Sequence, residues 1–470
     1  MNALLRAYRQ GSRMLPLMLL ASPILAQQSP EPMYKPSIVD GTRTHAIMRK
    51  FEREHDTLQL NLPAEHKKDY SEIYAQRWRH IKSRFQKKEI YTLPSAQQYL
   101  DSMLNRIVAG TPDLRREKLH AFFSRSGTPN ATSVGQGIIF FNIGLFTRLD
   151  NEHQAAFILC HEIAHAVLKH SEKSIEKYVK NMHSSALQKE LKELKKVQYN
   201  RLSKLEALSK GLTFDSRRHS RNNESDADSL ALVYFRNCGF DPAAAVTAMQ
   251  LLDKIDEEDI DMTKHLRTLF DAPQFRFQDR WLEKDAGLLG GHATLLRDRK
   301  VEDSLKTHPD CVERANKLIA FNLSADSALA GKPPVAAASI HPLRFDSLRK
   351  AFQFEIIEFS FAEDNYTESL YYTIAMLEKT PNDPYLIMHV ARILNNCFYL
   401  QRQHRLGKKL RLPAPENRES FNTLAQFVQN LYMEEYAQIA FHYLQRYQGQ
   451  LSAYPEFQSE FAKSEGFIKM

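Results

Sequence analysis

In YSEIYAQRWRHIKSRF and SAQQYLDSMLNRIVAG apolar residues recur every three or four positions, which predicts two helices, the second ended by Gly110-Thr111-Pro112. The rhythm then shortens. LHAFFSRSGTPNATSVGQGIIFFNIGLFTRL contains short β-branched and aromatic runs broken by Gly127, Pro129, Gly135 and Gly137, which predicts a small antiparallel sheet. Asn151-Glu152 opens the next helix, which carries FILCHEIAHAVLKH, and a highly charged helical stretch follows from about 171 to 210. RRHSRNNESDADSLALVYFRNCGF forms another helix ending at Cys238-Gly239, and Asp241-Pro242 starts the one after it. Residues 255–300 are polar and irregular with the tip LLGGHAT, a candidate lid or surface loop. GKPPVAAAS reads as a linker, and everything beyond it reads as helix.

The elements predict a mainly α chain with a small antiparallel sheet, followed by an all-α, helical-repeat-like region. The expected divisions are a leader at 1–26, an irregular or helical lead-in at 27–69, a catalytic domain at 70–328, a linker at 329–344 and a helical domain at 345–470. DNYTESLYYTIAMLEKTPNDPYLIMHVARIL resembles a tetratricopeptide unit, with Ser369 and Met376 at helix-packing positions, and MEEYAQIAFHYLQRY is a weaker echo. Such an array is expected to dock on the preceding domain and to offer a surface to a protein partner.

Composition changes the picture little. A chain of 470 residues with 43% hydrophobic content can bury a large core. The formal charge of +8 does not point to nucleic acid, because Arg6, Arg9 and Arg13 supply part of it and elsewhere Lys and Glu alternate on solvated helix. The basic start, the apolar run MLPLMLLASPILA and Ala26 read as a secretory signal, too short and too Pro-interrupted to span a bilayer. The chain is therefore expected to be exported, without a transmembrane span, free or peripherally associated with an envelope. Asn-x-Ser/Thr sequons occur at Asn130, Asn223, Asn322 and Asn365, but glycans on the first two would crowd the expected cleft, which favours a bacterial periplasm. Cys160, Cys238, Cys311 and Cys397 are scattered, and their spacing selects no pairing.

The chemistry concentrates in HEIAH. His161 and His165, four residues apart on a helix, project from one face and can grip one ion, while Glu162 lies beside it, placed to take a proton from a water. A glycine and a further histidine do not follow at the spacing of one known third-ligand pattern, since Leu168 and Ser171 stand there. The other pattern draws a glutamate from a later helix. SRNNESDADSLA supplies Glu224, with Asp228 one turn on to orient a ligand histidine, the bland alternative being an acidic helix face. His170 reads as a partner for the helix dipole pointing away from the ion, and His153 and His219 as surface or packing residues.

With these motifs the chain resembles the zinc endopeptidases of the CAAX-prenyl, Oma and HtpX kind, in their soluble BepA-like branch. The likeness spans about residues 70–320 and includes PNATSVGQGIIFFNIGLFTRL before the motif and THPDCVERANKL after it. It implies a gluzincin fold, one Zn2+ per chain on His161, His165 and Glu224, and Glu162 as the base. It further implies Gly137, Ile138, Ile139 and Phe140 in an open edge strand that pairs with an extended substrate, Arg314 as oxyanion partner, and His308 near the metal as latch or catalytic aid. The function implied is hydrolysis of misfolded or misassembled envelope proteins. The alternative is a chaperone-like or assembly factor with latent protease activity.

Overall fold

Glycine and proline punctuation sets many of the element boundaries. The computed structural model describes residues 33–37, 41–185, 187–189, 192, 221–255, 260–283, 311–328, 342–414 and 417–470. The leader, the LLGGHAT tip, His308 and the GKPPVAAAS linker lie outside these residues. The lead-in contains helix α1 (Gly41–Leu60), followed by α2 (Lys67–Gln86) and α3 (Pro94–Gly110) over the two amphipathic stretches. Pro94 stands in the first turn of α3, where a missing N–H is tolerated.

The sheet consists of β1 (Ile90–Tyr91), β2 (His120–Ser124), β3 (Ala131–Ser133) and β4 (Ile138–Asn142), in the order β1-β2-β4-β3. It is mixed rather than purely antiparallel, because β2 and β4 run parallel from His120↔Ile138 to Ser124↔Asn142. The β3–β4 hairpin (Ala131↔Phe141, Ser133↔Ile139) comes between them in sequence and places β3 on the outside. This corrects the expected edge. Ile138, Ile139 and Phe140 are buried in a strand paired on both sides, and Gly137 lies in the turn before it, so the terminal strand on this side is β3.

The hairpin turn needs its glycine. Gly137 has φ +72°, and a Cβ there would lie 1.9 Å from the carbonyl oxygen of Lys118. Gly137→Ala is therefore expected to lower the unfolding free energy by about 2 kcal/mol or more, read as a fall in the urea midpoint with unchanged slope.

After the short helix α4 (Ile143–Phe146) comes α5 (Glu152–Val167), which carries the HEIAH motif. The Asn151 side chain caps α5 by accepting from the Gln154 N–H at 3.0 Å. From Gln154 to Ala164 every residue is buried, so α5 runs through the core and its sequence is apolar around most of its circumference. Lys169, in the left-handed region at φ 55°, turns the chain into α6 (His170–Met182). The helix over 221–237, α7, and α8 (Ala243–Lys254) complete the surroundings of α5.

Within the stretch read as a candidate lid or surface loop, the described residues 260–283 pack into the core. Helix α9 (Met262–Phe270) is followed by an aromatic loop in which Phe270 stacks on Phe427 at 5.4 Å and Trp281 meets Phe427 edge-on at 6.0 Å. The alternation of charge in its sequence concealed these few large anchors. Helix α10 (Cys311–Ala328) then brings Arg314 under the site.

Among the described residues six further α-helices follow: α11 (Pro342–Ala362), α12 (Tyr366–Lys379), α13 (Pro384–Arg402), α14 (Glu419–Asn430), α15 (Met433–Leu451) and α16 (Pro455–Ile468). Buried Ser369 lets α12 approach α11 closely, its hydroxyl donating to the Ile357 carbonyl at 3.0 Å. Phe352 of α11 lies 4.9 Å from Phe123 and 5.4 Å from Phe146, within the same core that holds α5. Tyr34–Met470 accordingly forms one compact unit.

Candidate metal centre

Two helices supply the donors. One turn of α5 separates His161 from His165, and α7 brings Glu224 across to both. His161 Nε2 and His165 Nε2 are 3.0 Å apart, and the Glu224 carboxylate oxygens lie 3.4 Å from the first and 3.3 Å from the second. Donors around one tetrahedral ion at the usual 2.0–2.1 Å stand about 3.3 Å from each other, so this set fits a single divalent cation. Such a centre leaves one position for water or substrate. Glu162 is buried on the same helix, immediately after the first ligand.

The far nitrogens of both rings are also held. His161 Nδ1 lies 3.0 Å from Asp228 Oδ1, and His165 Nδ1 lies 2.9 Å from His170 Nδ1. Burial and the neighbouring His165 and Lys173 depress the His170 imidazole to about 4, so it is neutral near pH 7 and can accept from the His165 Nδ1–H. Asp228 accepts from the His161 Nδ1–H. Both tautomers then direct a lone pair from Nε2 toward the centre.

His170 thus does not point away, as a continuous helix would require. The left-handed turn at Lys169 breaks the helix and swings the ring back onto His165. Lysine carries no sequence signal for that conformation.

Arg314 sits behind the ligands at 4% exposure. Its Nε and Nη2 donate to Asp228 Oδ2 and Oδ1 at 2.6 and 2.7 Å, and its Nη1 lies 3.0 Å from Glu224 Oε2. This departs from the expected oxyanion role, because three of the guanidinium nitrogens are directed at carboxylates rather than at a reacting carbonyl. Burial alone would raise the Asp228 carboxyl, but Arg314 and His161 outweigh it and hold it at about 2. His161 responds in the opposite sense. Burial pulls its imidazole down, yet the bonds to Asp228 and Glu224 prevail and raise it to about 9 in the metal-free chain.

Cys160, next to His161, is fully buried with its thiol pushed well up by burial, which makes it a packing residue. All four cysteines are free and buried. A groove of about 750 Å³ bounded by Lys50, Arg53, Lys118, Gln136 and Lys169 borders the C-terminal end of α5, and none of the three donors lines it.

Residues 94–321 match the description of peptidase family M48. That segment is similar to an M48 peptidase domain. Its bounds begin at the start of α3 and end within α10, so they contain every residue of the donor set and its supports. Two curated relatives bear the name of β-barrel assembly-enhancing protease. The putative one of Vibrio cholerae is 26% identical over 153 residues, 32% of this chain and 31% of that protein. That of Escherichia coli strain K12 is 26% identical over 165 residues, 34% of each. The chain thus aligns over about a third of the length of the curated relatives it matches.

Proposed function

We propose that this chain is an exported zinc endopeptidase of the bacterial periplasm that cuts misassembled or unfolded envelope proteins. The observation that carries the reading is the convergence of two imidazoles and one carboxylate from α5 and α7, with Glu162 beside them. The names of the relatives support the envelope setting, as does the signal-like start.

In this reading His161, His165 and Glu224 would hold one zinc ion, which would supply the Lewis acidity that activates water near neutral pH. Glu162 takes the proton of the attacking water and returns it to the leaving amine. Asp228 and His170 fix the two imidazoles, and Arg314 braces Asp228 and Glu224 so that the carboxylates keep their aim. An extended substrate backbone lies along β3, the terminal strand packed on α5, which reads main chain and gives loose sequence preference. The helices after Pro342 present a protein partner or peripheral contact.

Casein cleavage that stops on chelation and returns with zinc supports the proposal. Cleavage indifferent to chelation, in a chain that purifies without metal, would overturn it. The pH dependence is a second check. His161 near 9 must lose its proton before its Nε2 can ligate, so zinc affinity is expected to rise with pH, about tenfold per unit from about pH 6 to 8, with release of one proton. Chelator competition at several pH values measures it, and a flat profile contradicts the assignment of His161.

A further inference from the structure

Two histidines and an aspartate meet at a second place, formed by the start of α2 and the end of α6. His66 immediately precedes α2 and has φ 56° and ψ 29°, a left-handed backbone uncommon for a residue with a side chain. Asp69 stands one turn further on, its N–H donating to the His66 carbonyl at 3.0 Å. His183 follows the last turn of α6. Its Nε2 lies 2.9 Å from Asp69 Oδ2, and its ring stacks on His66 with centroids 3.7 Å apart and planes at 10°. One donor atom from each of the three lies within 4.8 Å of the others.

We propose that His66, Asp69 and His183 bind a second divalent transition metal, zinc by the chemistry of the donors. Two imidazole nitrogens and one carboxylate oxygen suit that ion, with water or Glu65, 3.4 Å from His66 Nε2, in the remaining position. An ion pair as exposed as His183 with Asp69 adds little stability by itself, and a shared metal would tie the two helices more firmly. The scaffold is already built, since Leu62, Tyr70, Tyr74 and Val179 pack α2 against α6. Ligation asks only that the two rings splay from parallel, a rotation open to partly exposed side chains.

The ion would clamp the two helices at one end. The other end of α6 carries His170, about 18 Å away along the axis, where it holds His165. A clamp at His183 therefore braces the helix that orients a ligand of the first centre. The second site stands independently of the reaction carried out at the first.

The test uses the full chain with His161→Ala and His165→Ala, so that the first centre is disabled, and titrates Co2+ while recording ligand-field absorbance. One Co2+ per chain is expected, together with a zinc-dependent rise in Tm. Adding His183→Ala should weaken binding by about 100-fold or more, beyond the effect of losing a mere partner of a ligand. No binding by the double variant, or binding unchanged by His183→Ala, overturns the proposal. Should the double variant fail to fold, zinc content is compared between the wild-type chain and the single His183→Ala variant. Loss of one zinc supports the site, and equal content overturns it.

Discussion

Glu162→Gln is expected to retain its metal and its fold while kcat for peptide cleavage falls by about 10²- to 10⁴-fold, the usual contribution of a positioned general base. The substitution preserves volume and one acceptor oxygen but cannot take a proton from water. Glu162 is 2% exposed in the middle of a buried helix, so no neighbouring solvent carboxylate substitutes for it easily. Because it is not one of the three donors, zinc content and Tm should match the wild type. KM should change little, since the residue acts on the water and not on substrate binding. A chain that only binds clients would behave identically before and after the change. Cleavage surviving in the Gln variant would remove Glu162 from the chemistry.

Glu224→Ala is expected to act one step earlier, by removing the metal. It leaves two imidazoles to hold an ion that is otherwise gripped by three groups, and it takes away the carboxylate 3.0 Å from Arg314 Nη1. Zinc affinity should fall by more than about 100-fold, since loss of a partner behind a ligand already costs about 10- to 100-fold. Peptide cleavage falls with it. The thermal shift on adding zinc is the sensitive readout, because a ligand at 1,000 times its Kd stabilises the folded state by about 4 kcal/mol and one that no longer binds adds nothing. Helix α7 itself should persist, as Asp228 keeps both bonds to Arg314. A variant that kept wild-type zinc content would show that the third donor lies elsewhere.

These two substitutions separate the proposed roles of base and ligand, and the motifs that carry both residues were legible in the sequence. The reason is local geometry. An i, i+4 pair shares a helix face whatever surrounds it, so HEIAH and the Glu224–Asp228 pair specify side chains that project together. Cap and turn signals are equally local. Asn151 starts α5 and Gly110 ends α3 because those residue types satisfy or terminate a helix by themselves. The mainly α character and the small sheet follow from the same period-reading.

Relations set by distant contacts were not legible. The run IIFFN reads equally well as an edge or as a central strand, and only its parallel pairing with β2 puts it inside, leaving β3 as the terminal strand. Arg314 was visible as a cation near the site, but its direction depends on where α10 passes beneath α7. Phe345 and Phe352 stood on the far side of an expected linker, yet their rings pack on Phe146, because a core is assembled by volume and not by order along the chain.

By itself the sequence determined the elements, the face shared by His161 and His165, and the kind of donors available, since each depends on a few residues within one or two turns. Tertiary structure alone decided that Glu224 meets that face, that His170 turns back to His165, and which strand ends the sheet. Those outcomes depend on where separate elements pack, and the free energy of packing is spread over many contacts between residues far apart in the chain.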